Sequence, residues 1–448
     1  MKIIGSIFSR CVGACCVLLC SLFVVSPAQA NVTVGCPGAT GGPFNFTTLT
    51  AAVQSNPTGN VEIDVSGTCT EAVVIAGLQN LFILGTPGAA LVDPGGSPPN
   101  FGAVLEIDNS QNVRIQGLSI EVASRTIDNA IPVILVQSSD VRIVQDRLEG
   151  AGASDGIDLF QSTVRLIGAT IIENNNDGLG DGEGVFLQGP NALLVLRGDF
   201  SGCPLIQGNG DAGVFATDGG SSVRAPLGPG CATIQNNGSV GVAGNLGATI
   251  VLNVPQANPG AIKLLNNAID GLLATNGTHF NLNGPVLIQG NPENGIRVRN
   301  AAGVLSGSDG TAGPIVQQNG TSPNPPCCAP AAGISLGNNA TVDLIGGQIM
   351  NNGGSGVIAD DNSSVRIIGQ MNQLSITKNP IGVEVKDASS AALFMAPTIS
   401  GNSTADLLCG PDSVAHGDLS AVGKINCPQF RPQQNAVAPP KHGKSAIP

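Results

Sequence analysis

Ile234-Gln235-Asn236-Asn237-Gly238-Ser239-Val240-Gly241-Val242 decides how this chain is read. An aliphatic residue is followed three positions later by Asn, and four positions after that by Gly and a second aliphatic. The spacing returns as Ile206, Asn209, Gly213, Val214, as Leu264, Asn267, Gly271, Leu272, as Ile288, Asn291, Gly295, Ile296 and as Ile349, Asn352, Gly356, Val357. Two variants follow: Ile376, Asn379, Gly382, Val383 is shorter, and Ile399, Asn402, Asp406, Leu407 has Asp in place of Gly. From Gly156 to Gly382 the Gly-aliphatic steps recur on average every ~28 residues, within the range of solenoid repeats.

Between those steps hydrophobicity alternates with a period of two, as in Val164-Arg165-Leu166, Val342-Asp343-Leu344 and Val365-Arg366-Ile367. That is the period of a strand, and no stretch sustains the helical period. Each repeat reads as three short strands separated by Gly, Asn and Ser turns. Wound in one sense, such repeats form an all-β, single right-handed parallel β-helix with rungs about 4.8 Å apart. Asn tolerates left-handed dihedrals and bonds its own backbone, so the recurring Asn predicts a ladder at one bend rather than a ligand site.

The cysteines test the register. Cys203 stands three residues before Ile206 and Cys231 three before Ile234, the same phase of consecutive rungs. One rung spacing is within the roughly 4.4 to 6.8 Å between Cα atoms that a disulfide accepts, so Cys203–Cys231 is expected as an inter-rung bridge. Cys36–Cys69 and Cys409–Cys427 are expected to staple the two ends. The remaining pair, Cys327-Cys328, lies in a Pro-rich stretch and is left unassigned.

Residues 1–30 read as a secretory signal peptide: Lys2 and Arg10, an apolar run from Cys11 to Val25, then Ser26-Pro27-Ala28-Gln29-Ala30, with cleavage expected after Ala30. Residues 31–80 form an N-terminal cap and first rung, where Leu49, Ala52 and Val53 share one helical face. The β-helix runs over 81–408, a C-terminal cap over 409–428, and 429–448 is a polar, Pro-rich tail expected to be disordered. An exported chain with paired cysteines belongs in the periplasm, at the cell surface or in the medium. The formal charge of −12 argues against nucleic acid and anionic lipid as partners, and the chain reads as a monomer without stable membrane insertion after cleavage. Eight Asn-x-Ser/Thr sequons, Asn237 and Asn276 among them, are glycan acceptors in a eukaryotic secretory route and turns otherwise.

Phe46 to Leu84, with Ala51-Ala52-Val53, Ser66-Gly67-Thr68-Cys69-Thr70-Glu71, Val73-Val74-Ile75 and Leu81-Phe82-Ile83-Leu84-Gly85, resembles the opening of pectin-lyase-like β-helix proteins. Their usual motif is Pro-Gly-Thr-Tyr-x-Glu, and here Ser66 and Cys69 replace Pro and Tyr. The Asn and Gly-aliphatic rungs are similar to the same superfamily's repeat, so the resemblance covers most of residues 35–410. It implies the fold and a uronate-rich polysaccharide as ligand class. The activity stays open, since such repeats host lyases, hydrolases, esterases, epimerases and non-enzymatic surface proteins.

Three places offer chemistry. Arg114, Arg142 and Arg165, followed by Arg224 and Arg366, recur at an outward strand position. On adjacent rungs their charges repel, which either a bound polyanion or neighbours such as Glu121 and Asp146 would relieve. Asn174 and Gly178 fit the template after Ile171, yet Gly184-Val185 fits it too, so six residues are inserted before Gly184. There Asp177, Asp181 and Glu183 form either a calcium-binding loop or a plain acidic surface loop. Asp155 and Asp158, near Glu149, form a candidate carboxylate pair for acid and base work on a glycosidic bond. The polygalacturonase-type motifs are missing, only His279, His416 and His442 are available, and with no Trp or Tyr only Phe could stack on sugar; Phe160, Phe186 and Phe215, which follow the Gly-aliphatic steps, either alternate outward or fill the core. The sequence therefore points to a non-catalytic, secreted or surface-associated β-helix that binds acidic polysaccharide, without assigned catalytic residues and with calcium as the one cofactor suggested. The alternatives are a polysaccharide lyase or glycoside hydrolase on uronate-containing glycan, and a structural or adhesive solenoid.

Overall fold

A computed structural model describes residues 30–95, 102–122, 130–151, 154–176, 182–226, 230–254, 262–307, 313–321, 331–369, 374–428 and 431–432. They form one right-handed parallel β-helix of three sheets with 14, 16 and 13 strands. A rung visits the sheets in a fixed order, named here I, II and III: Asp155–Phe160 in sheet I, Thr163–Ile167 in sheet II and Ile171–Asn176 in sheet III. Each strand pairs in parallel with its counterpart one rung away, so like positions stack. The column Ile157, Val185, Val214, Val242, Leu272 and Ile296 is one such stack, fully buried in the core.

The corner from sheet III to sheet I carries the Asn template. The Nδ2 of Asn209 donates to Asn237 Oδ1 (2.8 Å), Asn237 to Asn267 (2.8 Å), Asn267 to Asn291 (3.2 Å) and Asn291 to Asn319 (2.8 Å). The ladder continues through Asn352, Asn379 and Asn402 to the carboxylate of Asp406. The ladder thus ends on a carboxylate, which accepts without donating, at the Gly position of the last repeat. Two details differ from expectation. The left-handed residue is the one before the ladder Asn, such as Asn236 (φ 54) or Asn266 (φ 52), while the ladder residue itself is buried and bonded. At the insertion it is Ile172 and Asn175 that occupy the template, not Ile171 and Asn174, because Ile172 is the inward residue and Asn175 donates to Asn209. The insertion before Gly184 is therefore one residue shorter than expected.

Sterics explain the repeated Gly. A Cβ on Gly184 would lie 2.5 Å from the Gly213 carbonyl oxygen and 2.8 Å from Asn209 Nδ2, both of the next rung. A shorter serine ladder turns sheet I into sheet II: Ser110 N donates to Ser139 Oγ and Ser139 N to Ser162 Oγ, each at 2.9 Å.

Cys203–Cys231 joins consecutive rungs with its Cα atoms 5.4 Å apart, as the shared phase predicts, and the two end disulfides are also present. Helix Leu49–Gln54 buries Leu49, Ala52 and Val53 over the first rung. The Glu71 carboxylate accepts from the amides of Leu49 (2.7 Å) and Thr50 (3.0 Å), the unpaired donors of a helix start. Beyond the second staple, Arg431–Pro432 pairs with His416 and Gly417 and adds a strand to sheet II inside the expected tail. Residues 1–29, Cys327-Cys328 and 433–448 lie outside the described residues. Three paired cystines fit an oxidising compartment. Among the described residues no helix is long and apolar enough to cross a membrane.

Candidate functional site

The outer face of sheet II gathers arginine over five successive rungs. Arg114, Arg142 and Arg165 stand in direct register, so about 4.8 Å separates neighbouring backbones. Val195 follows in the column, then Arg224, and Arg197 stands beside it opposite Ile167. On the same strands the one carboxylate is Asp140, which pairs with Arg165 with both side chains about a third exposed. Arg114 donates to Gln116 Oε1 (2.6 Å) while its Nε is buried without a partner. Arg142, between those two, makes no side-chain hydrogen bond or ion pair among the described residues. Arg366 lies further along and is paired with Asp343 at 2.7 Å.

The neutralising neighbours expected from the sequence are placed differently. Glu121 accepts from Ser119 on sheet III (2.7 Å). Asp146 is buried at the corner between sheets II and III, where it accepts from the amides of Leu118 (2.7 Å) and Val144 (2.9 Å). Burial raises its pKa to about 7 against those bonds and the charge of Arg114. Among the described residues Arg142 therefore has no ion-pair partner, and Asp140, two residues before it on the same strand, is committed to Arg165.

The outer face of sheet I on the same rungs is acidic. Asp155 and Glu183 stack in register, and Glu183 N donates to Asp155 Oδ1 (3.0 Å). Asp155 is 8 % exposed. Burial, followed by the hydrogen bond and charge of the Glu183 side chain, holds its carboxyl well above the usual range. Asp158 is raised to about 6 by burial and then by Glu183, and its buried Oδ1 has no hydrogen-bond partner. The sequence pairing of these aspartates with Glu149 is corrected: Glu149 belongs to sheet III, where Arg147 bonds it (3.1 Å), and the third member of the group is Glu183. Sequence reading missed that link because the partner lies a full rung away.

Asp158 stands opposite Phe186 and Phe186 opposite Phe215. The two rings are half-buried with centroids 5.6 Å apart and planes tilted by 46°, and Phe215 packs on a small apolar cluster of Ala212, Val240 and Ala243 that is separate from the main core. Phe160, Gln137, Ser138 and Gln161 line an open cavity of about 350 Å³ where sheet I turns into sheet II. It lies between the carboxylate group and the arginine column, and its size is at the lower end of small-ligand sites.

Of the calcium candidates, Asp177 and Asp181 lie outside the described residues, and Glu183 is engaged with Asp155. Three of the glycan sequons begin at Asn237, Asn319 and Asn402, which are buried ladder residues with their amides bonded, whereas Asn276 is exposed. Compared with known proteins, the sequence matches no family model and no curated protein.

Proposed function

We propose that this chain is exported and binds acidic polysaccharide, with the ligand lying along the arginine face of sheet II. The observation that carries the reading is the in-register stack Arg114, Arg142, Arg165, in which Arg142 has no counter-ion among the described residues although the chain as a whole is at −12. Like charges one rung apart repel, and a polymer with regularly spaced carboxylates offers each of them a paired, charge-assisted hydrogen bond. The apolar run from Cys11 to Val25 with the cleavage-type stretch ending at Ala30, the disulfides and the pectin-lyase-like opening support export and the ligand class. Binding of soluble polygalacturonate, compared with a neutral glucan of equal length, tests it: wild type binds the first and not the second, and Arg142→Ala weakens binding about tenfold. Equal affinity for the neutral glucan removes the electrostatic reading, and failure to bind either leaves a structural solenoid.

A second reading, glycoside hydrolysis, is favoured by the carboxylate group. Such hydrolysis needs one carboxyl kept protonated and another ionised across the scissile bond. Asp155 is held protonated by burial and by Glu183, and aromatic faces stand next to Asp158. New reducing ends released from polygalacturonate by wild type, and not by Asp155→Asn or Glu183→Gln, would replace binding with turnover as the function.

A further inference from the structure

Phe200 is completely exposed, more so than any other large apolar side chain among the described residues. A single exposed apolar residue is ordinary on a protein surface. What sets Phe200 apart is how firmly its backbone is held. It sits at the tip of a tight turn in which Asp199 N donates to Gly202 O (3.0 Å) and Gly202 N to Asp199 O (3.3 Å). Inside the turn the Asp199 carboxylate accepts from Ser201 N (2.7 Å) and Ser201 Oγ (2.5 Å). The amide of Ala169, one rung back, donates to Ser201 Oγ (3.1 Å), and Cys203 is bonded to Cys231 one rung forward. The turn is thus tied to both neighbouring rungs, and an aromatic ring is displayed in water with its loop already ordered.

Its place matters as much. The turn leaves sheet II directly after Arg197, whose strand puts Val195 between Arg165 and Arg224. We propose that Phe200 is the stacking platform for a sugar ring of the acidic polysaccharide that the arginine face binds; the inference rests on that reading. A uronate ring has one face of C–H bonds and an edge of hydroxyls and a carboxylate. An isolated ring set among Arg197, Asp199 and Ser201 matches that mixture. A protein pocket would bury a wider apolar surround than this turn offers. The ordered turn spares the ligand the entropy of fixing a loop, so the stacking energy appears as affinity.

The test is calorimetric binding of an oligogalacturonate to the intact mature chain carrying Phe200→Ala, Phe200→Trp or Arg142→Ala. Phe200→Ala is expected to weaken binding about five- to tenfold with an unchanged melting temperature, and Phe200→Trp to match or exceed wild type. Wild-type affinity in Phe200→Ala while Arg142→Ala is weakened overturns the platform and leaves the arginine face intact. Wild-type affinity in Arg142→Ala overturns the underlying reading instead.

Discussion

Sheets I and II present opposite outer faces on the same rungs. Both are built by the same alternation, and both stack charged residues of one sign one rung apart. On sheet II the arginines sit partly exposed, and Arg165 with its Asp140 partner is open to water on about a third of each side chain. On sheet I, Asp155 is 8 % exposed and its neighbours Asp158 and Glu183 crowd it. The difference teaches that stacking like charges has two outcomes. Guanidinium groups cannot shed a proton at neutral pH, so their repulsion persists until an anion arrives. Buried carboxyls take up protons instead, and their repulsion is removed internally.

The largest expected effect breaks what the two faces share. Gly184→Ala places a Cβ 2.5 Å from the Gly213 carbonyl oxygen, backbone that cannot yield cheaply, beside Glu183 and on the rung that leads to Arg197. Overpacking of this kind costs about 1–3 kcal/mol, and here the Asn ladder is displaced as well, so the upper end is expected in urea unfolding. Loss of glycan affinity in parallel would show that both faces depend on one corner. Stability unchanged by the substitution would mean that the Gly column is not sterically required.

A smaller effect separates the faces. The folded pKa values of Asp155 and Asp158 lie above the unfolded value near 3.8. Their contribution to stability is therefore complete below about pH 4 and is lost as pH rises through the folded values, about 6 for Asp158. Asp155→Asn keeps an acceptor for Glu183 N and removes one of the two titrations. The fall in melting temperature between pH 4 and pH 7 should become shallower, since every tenfold gain in proton affinity on folding is worth about 1.4 kcal/mol. An identical pH profile in wild type and variant would mean that Asp155 is not held protonated.

Much of the fold was legible because its repeat residues each answer a local requirement. Gly clears the next rung's carbonyl, Asn carries the ladder, and two cysteines in equal phase meet. The phase at Asn174 and Asn175 is ambiguous in the sequence because Ile171-Ile172 and the run Asn174-Asn175-Asn176 offer more than one match to the template, and the inward side of Ile172 decides it. The site was legible in part. The arginine register followed from the repeat, but Asp155 with Glu183 is a contact across a whole rung, and Arg197 stands two residues past the column position that Val195 occupies. Phe200 carries no signal of its own in the sequence, since its rigidity comes from Ala169 and Cys231 on other rungs.

The most direct measurement of the central claim is the salt dependence of oligogalacturonate binding in wild type and Arg142→Ala. Affinity should fall steeply with ionic strength in wild type, and the slope of log K against log salt should be shallower in the variant, because one fewer ion contact is lost. Equal slopes, or wild-type affinity indifferent to salt, would contradict an anionic ligand on the arginine face.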